Sequence, residues 1–496
     1  MDQVQGAPRR AWRPSASLIV FGTCLVIYLA LYLFAPAGKG LRTRTIGDEP
    51  HYLVIAESVL RDGDLSLADD YASRNYQREG YHSGARLEPH VTTGRQGRVV
   101  PWHQVMTSLV ILPAYAAAGY RGAGATMVVI MSATALFTFL LLRRFVRERT
   151  AAIVTLFFFL TYPLLLYSHL VYPEVFAIFL VAVGTWAALE VRAGKGPGYL
   201  FLAGIAAALL PHFHSKFIVL AAALAFLVVL CAGGRSWRLL YFFAPVCLSL
   251  AALAFWTWYL YGPNIIRGLT VSGGTGGFFG GDSPWGIPGL YFDRAWGLVP
   301  FAPLYLALFA GMPLPRNRRA LKKWWIFIPV TIAVYTVVVG GFREWHGGAA
   351  PVPRYLVPLL PLFVLCAGLV VSGVRSRWVW VALGALAGAQ VVLTVYARVF
   401  PAATLGLPRT RNELYHYIFG NNFLSSALDR LFPLFHPVTL RSLAVMCAWG
   451  LLVAALICAR RRYLKATPGE MLGVRHFSSH LSYSATATVT DAKRSA

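Results

Sequence analysis

The sequence predicts an all-α, polytopic membrane protein, and three observations carry that expectation. Apolar runs of about 18 to 22 residues recur from end to end, each long enough to cross a hydrocarbon core of about 30 Å as a helix. Of 496 residues, 57% are hydrophobic and only 13% are charged. The charges are sorted: 45 Lys and Arg stand against 20 Asp and Glu, a formal net charge of +25, and the basic residues cluster between the apolar runs. A soluble nucleic-acid binder reaches such a charge with many more ionised residues, so no nucleic-acid partner is expected. The six cysteines all lie in apolar runs without a CxxC and read as small buried hydrophobes.

The positive-inside rule orders the segments. Span 1, residues 17–36, follows Arg9, Arg10 and Arg13. Ala35-Pro36-Ala37 resembles a signal-cleavage site, but a run of about 20 residues exceeds a usual signal core and favours an uncleaved span. An external segment follows, 37–120, whose end from His103 to Tyr120 is apolar, broken by Pro113, and predicted to lie at the interface. Span 2 (124–142) returns to the basic cluster at 143–149. Spans 3 (151–168) and 4 (173–191), then 5 (198–211) and 6 (217–232), form two outward hairpins, and span 7 (239–260) leads to a Gly-rich external loop. Span 8 (298–313) returns to Arg316, Arg318, Arg319, Lys322 and Lys323. Spans 9 (325–341) and 10 (355–373) flank a short external turn, and spans 11 (378–396) and 12 (440–459) enclose another external loop before Arg460-Arg461-Arg462. About twelve spans put both termini in the cytoplasm, with a membrane domain over 1–465 and a Ser-, Thr- and Ala-rich tail, 466–496, expected to be disordered.

Acidic residues, which the rule hardly uses, test this topology. Only Asp2, Glu148, Glu190, Glu470 and Asp491 fall inside; the other fifteen of the twenty lie outside. Chemistry is therefore expected on the outer face. There, Gly47-Asp48-Glu49-Pro50-His51-Tyr52 precedes an amphipathic stretch reaching Leu60. Asp48 or Glu49 either caps that helix and complements its dipole or carries a reaction.

Four segments together resemble the GT-C glycosyltransferase superfamily, which includes protein O-mannosyltransferases and the lipid A aminoarabinose transferase. The string GDEPHYLVIAESVLRDGDLSLADDY is similar to the acidic segment of the first extracytoplasmic loop in its bacterial branch. Pro101-Trp102-His103-Gln104 stands where many relatives carry Lys-Pro-Pro, and Tyr172-Pro173-Glu174 looks like the second acidic site at the outer start of span 4. Pro353-Arg354-Tyr355-Leu356-Val357-Pro358-Leu359-Leu360-Pro361 resembles the segment opening a late span. The order and side of these motifs hold over residues 17 to 375. His103 replaces the expected lysine, and a large C-terminal soluble domain is not evident, so the acceptor is not carried over.

The resemblance implies transfer of a sugar from a polyprenyl-phosphate carrier to an extracytoplasmic acceptor, with inversion, in a bacterial plasma membrane. Asp48 is the expected base and Glu174 a second acidic group that positions acceptor or cation; sequence alone does not separate Asp48 from Glu49. Expected substrate contacts are Glu49, His51, Tyr52, His103, Lys216, Arg294, His346 and Arg354. Arg354 either binds phosphate bidentately or snorkels to the interface, and Arg294 either binds substrate or pairs with Asp293. His212 and His214 leave a divalent cation open, but no HExxH or Cys/His framework occurs and Lys216 opposes a cation there, so no cofactor and no metal ligand are assigned. Ser272 to Asp282 lacks a P-loop ending and is either a lid carrying Phe278 and Phe279 or a connector. Membrane lipids are the remaining partners, met by the cytoplasmic Arg and Lys anchors. A transporter or flippase is the competing class, yet span centres are nearly free of ionisable residues and no half-repeat is evident.

Overall fold

The computed structural model describes residues 15–34, 45–78, 86–232, 236–263, 284–311, 319–407 and 409–466. The Gly-rich segment 272–282, Arg316 and Arg318, and the tail beyond 466 lie outside the described residues.

Long apolar runs fold as helices because a helix satisfies its own backbone where no water is available. The principal ones are α1 (Ala16–Phe34), α2 (Glu49–Arg61), α3 (Ala68–Ser73), α4 (Met106–Leu142), α5 (Glu148–Phe159), α6 (Pro173–Arg192), α7 (Gly198–Phe213) and α8 (Ile218–Ala232). They continue with α9 (Leu240–Tyr261), α10 (Arg319–Gly340), α11 (Leu360–Gly373), α12 (Arg377–Val399), α13 (Glu413–Phe419), α14 (Phe423–Arg430) and α15 (Leu440–Ala466). Among the described residues, eight helical stretches are long and apolar enough to cross a membrane, and two shorter apolar helices, Gly198–Phe213 and Ile326–Gly340, accompany them. The chain is a polytopic, all-α membrane protein.

Two predicted spans are not continuous helices. Span 3 divides into α5 and a turn at Leu164–Tyr167, and span 8 into Leu298–Phe301, a 3-10 turn at Pro303–Leu306, and Ala307–Gly311. Pro163, Pro300 and Pro303 stand at these breaks, where a missing N–H and a ring clash interrupt the helical ladder. α4 contains both the predicted interfacial segment and span 2, separated by a break at Ala118 and Gly119, the glycine at φ 56°.

Burial divides the helices by environment. In the apolar window of α6, 83% of residues are buried, and in that running from Arg354 through α11, 78%, against 6% for α15 and 11% for the stretch containing α9. α6 packs against α4, α7, α8 and the Arg354–Leu359 turn, forming the centre of the bundle. Outer helices instead expose apolar residues such as Leu248, Phe255, Trp378 and Leu451, as a lipid-facing surface requires. The cysteines follow the same division, which corrects the reading of all six as buried: Cys24, Cys231 and Cys366 are buried, whereas Cys247, Cys447 and Cys458 are exposed.

The described residues of the segment expected to be external are structured. α2 lies against α4, and Val91–Thr93 pairs antiparallel with Val99–Pro101, in the register Val91↔Pro101, Thr92↔Val100 and Thr93↔Val99. This hairpin docks on the C-terminal end of α9, where Arg95 covers the Trp258 ring at 4.5 Å and the Tyr261 hydroxyl donates to the Pro101 carbonyl.

Candidate functional site

Three segments distant in sequence meet at the N-terminus of α2. The first is the turn before that helix, where Gly47 adopts φ 56°; a Cβ there would lie 2.3 Å from the Tyr172 hydroxyl and 2.6 Å from the Ala349 carbonyl oxygen. Only glycine permits both the left-handed backbone and this approach. The second is the start of α6, where the Tyr172 hydroxyl donates to the Ile46 carbonyl at 2.8 Å and accepts from the Asp48 backbone N–H at 3.3 Å. The third is the turn before Arg354, in which Gly347, at φ 91°, leaves room for the Arg354 stem 2.9 Å from its absent Cβ.

The meeting point is a chain of alternating charges. Arg354 donates through Nη1 to Asp48 at 2.6 Å and through Nε to Glu174 Oε1 at 2.9 Å, and Lys216 Nζ donates to the same Glu174 oxygen at 2.6 Å. Two aromatic faces hold the cations: Arg354 lies 4.6 Å from the Tyr172 ring centroid and Lys216 lies 4.3 Å from that of Tyr355. Exposure differs sharply along the chain. The Glu174 and Lys216 side chains are 0% and 1% exposed, Arg354 is 8%, and Asp48 is 22%. Asp48 is thus the open end, with a buried guanidinium behind it. Arg354 is anchored inside the protein by two carboxylates, which removes the snorkelling reading.

Electrostatics separates Asp48 from Glu49. Burial would raise the Asp48 carboxyl, but the Arg354 guanidinium outweighs it and holds the group well below the usual carboxylate range. Asp48 occupies the N-cap position of α2 yet makes no side-chain capping bond. Glu49 turns the other way. Its Oε2 accepts the Ile46 N–H and its Oε1 the Val171 N–H, both at 2.8 Å, and burial pushes its carboxyl up to about 7. It is closed to solvent, so the expected substrate contact at Glu49 is corrected: it ties the Asp48 turn to the start of α6.

Other expected contacts divide by place. His51 and Tyr52 are buried, 4% and 1% exposed, and pack behind Asp48, His51 sharing a 2.7 Å hydrogen bond with the Tyr71 hydroxyl. Both are support, not surface. His103 lies beside them, its ring 4.9 Å from that of Tyr52, and burial pushes it down to about 4, so at neutral pH it is uncharged and is not a phosphate cation. His346 stacks on Trp296 at 4.9 Å in the turn before Arg354, and burial lowers its pKa. Arg294 stands apart. Its guanidinium donates to the Phe432 carbonyl and its N–H to that of Pro433, while Asp293 accepts the N–H groups of Ala295, Trp296 and Phe435, so these residues fasten the 432–435 segment and form no pair with each other.

A histidine the sequence did not single out completes the site. The hairpin brings His90 back beside His103, with His90 Nδ1 2.9 Å from His103 Nε2 and the His51 ring stacked 3.6 Å away. Asp48, His90 and His103 each offer a ligand atom, all within 4.8 Å of one another. Both rings are pushed toward the neutral form by burial, which suits metal ligation. His212 and His214 do not take part: His212 Nε2 meets the Ser249 hydroxyl at 2.8 Å, and His214 accepts the Lys216 N–H in the turn between α7 and α8. The only sequence signal for His90 was its place in the same external segment.

No family model matches the sequence, and no curated protein matches it. Among solved structures, the chain is similar to ArnT from Cupriavidus metallidurans bound to undecaprenyl phosphate, at 13% identity over 94% of this chain and 75% of that one, with a TM-score of 0.46. It is similar to the same protein in the apo state at 13% identity, over 93% and 74% of the two chains, with a TM-score of 0.49. The apo oligosaccharyltransferase of Archaeoglobus fulgidus follows at 12% identity, over 83% of this chain and 59% of that one, with a TM-score of 0.42.

Proposed function

We propose that the chain is a membrane glycosyltransferase that moves a sugar from a polyprenyl-phosphate carrier to an acceptor hydroxyl on the extracytoplasmic face, with inversion at the anomeric carbon. The observation that carries this reading is the pairing of an open, ionised Asp48 with a buried Arg354 whose position is fixed by Glu174 and Lys216. A glycosyl phosphate already has a good leaving group, so the protein needs a proton acceptor for the attacking hydroxyl and fixed cations for the departing phosphate. Asp48 takes the acceptor proton as the new C–O bond forms. The bond from the anomeric carbon to the phosphate oxygen breaks, and its electron pair leaves with the polyprenyl phosphate toward Arg354 and Lys216.

Glu49 is the better base by pKa but not by place, since both oxygens are held by backbone N–H groups inside the protein; geometry decides for Asp48. Asp48, His90 and His103 would hold a divalent cation, which supplies charge stabilisation near the phosphate when bound. The site belongs to the bacterial plasma membrane in this reading, with both termini cytoplasmic.

The test is direct. Purified protein incubated with a polyprenyl-phosphate sugar should release polyprenyl phosphate, and Asp48→Asn at equal expression should lower that turnover by about 10² to 10⁴. Lipid crossing the bilayer with its sugar bond intact would favour a transporter instead, and wild-type turnover in Asp48→Asn would remove Asp48 as the base.

A further inference from the structure

α2 carries a second acidic group at its other end. It finishes at Arg61, the chain turns through Asp62-Gly63-Asp64, and α3 begins at Ala68 with Asp69 and Asp70 in its first turn. Asp62, Asp69 and Asp70 each place a carboxylate oxygen within 4.8 Å of the other two. Asp62 and Asp69 are exposed, but Asp70 is only 4% exposed, and its Oδ2 is shielded from solvent without a hydrogen-bond partner. None of the three forms an ion pair among the described residues. Asp70 receives a side-chain hydrogen bond from Ser58, but its second oxygen has no partner, and a buried carboxylate beside two others is unfavourable unless a proton or a cation compensates it.

We propose that Asp62, Asp69 and Asp70 form a Ca²⁺ site on the extracytoplasmic face that ties the C-terminal end of α2 to α3. Donors that are all oxygen select a hard cation over zinc or copper. Three carboxylates supply at most six oxygens, and two of the residues are open to solvent, so water completes the coordination and binding is weak, in the range of about 10⁻⁴ to 10⁻³ M typical of extracellular modules. The consequence reaches the other end of the helix. α2 has 13 residues and is about 20 Å long, so fixing its C-terminal end helps fix the direction from which Asp48 is presented. The Ca²⁺ site stands whether or not the chain transfers a sugar.

Terbium luminescence tests it on the full-length protein in detergent, with Tyr71, next to Asp70 in sequence, as the sensitiser. Tb³⁺ emission should appear on tyrosine excitation and be displaced by Ca²⁺ with a midpoint of about 0.1 to 1 mM. Because Asp48, His90 and His103 would also take up Tb³⁺, Asp48→Asn is the background: Ca²⁺-displaceable emission should persist in it, and adding Asp62→Asn/Asp69→Asn should weaken that remaining binding at least about tenfold. Both altered side chains are exposed; if the double variant fails to fold, Asp69→Asn alone should weaken binding about threefold or more. Unchanged Tb³⁺ affinity in the variants, loss in Asp48→Asn, or stronger displacement by Mg²⁺ than by Ca²⁺ would overturn the proposal.

Discussion

The two ends of α2 hold acidic groups under opposite conditions. At the N-terminal end, Asp48 meets Arg354, Arg354 shares Glu174 with Lys216, and two acids are balanced by two bases, the four residues coming from four segments. At the C-terminal end, Asp62, Asp69 and Asp70 converge with no ion pair among the described residues. A chain with 45 basic and 20 acidic residues is not short of cations, so the difference lies in placement. At the N-terminal end, covalently tethered cations are built in from the bundle core, as the proposed transfer from a phosphate-linked donor requires. Where only a helix end must be held, a diffusible cation suffices.

Removing Glu174 should break the first set most strongly. Glu174→Ala leaves Lys216 buried with no carboxylate and Arg354 with Asp48 alone, an uncompensated charge expected to lower stability by about 3–5 kcal/mol. Thermal melting in detergent would show it. Adding Lys216→Met restores the balance of charge, so the double variant should melt above Glu174→Ala. A Glu174→Ala protein that melts with the wild type would mean that the buried cations do not depend on this carboxylate.

The contrast also shows what the sequence makes legible. Apolar run length and the sorting of Lys and Arg were enough for an all-α membrane bundle, because those signals are local and additive. The breaks at Pro163, Pro300 and Pro303 were equally local but were outweighed by the hydrophobicity around them. Asp48, Glu174, Lys216 and Arg354 could be picked out one at a time as charges on the outer side. Their chain could not, since Arg354 and Asp48 are 306 positions apart and their contact depends on how α6 and the Arg354 turn pack. Gly47 had no visible reason in the sequence; its reason is Tyr172 and Ala349, which approach only in the folded chain. Arg294, beside an aspartate in sequence, looked like either half of an ion pair or a substrate contact, and packing sent it to the Phe432 carbonyl instead. Asp62 carries no signal of its own within the motif string, because Asp69 and Asp70 join it only when α3 folds back beside α2.

Glu49 sharpens the comparison through pH. Its carboxyl has a usual value near 4.5, to which the unfolded chain reverts, and about 7 in the folded protein. Between those values the folded chain binds more protons than the unfolded one, so stability is fullest below about pH 4.5 and declines as pH rises through 7. The full effect is about 3 kcal/mol at most. Wild-type protein should therefore melt lower at pH 8 than at pH 5 on account of this group. Glu49→Gln should remove that part of the slope: it should melt lower than wild type at pH 5 by about 1–3 kcal/mol, because an amide can accept only one of the two backbone N–H groups, and the gap should close or reverse at pH 8. Identical pH slopes in the two proteins would mean that Glu49 does not titrate there. Asp48, held ionised by Arg354, should give no matching change in this range.

The smallest expected effect belongs to the exposed end of α2. If a diffusible cation holds Asp62, Asp69 and Asp70, then Ca²⁺ at ten times its dissociation constant stabilises the folded chain by about 1.4 kcal/mol, since only the folded chain brings the three carboxylates together. Raising Ca²⁺ should therefore lift the wild-type melting midpoint by a few degrees at most, and the same titration on Asp62→Asn/Asp69→Asn should move it hardly at all. Without Ca²⁺ the order should reverse, the double variant melting above the wild type, because two of three mutually repelling charges are gone. That crossing of the two curves is the sharpest form of the comparison: neutralising Asp48 at the N-terminal end of α2 should destabilise with or without the ion, whereas at the C-terminal end the sign should depend on it.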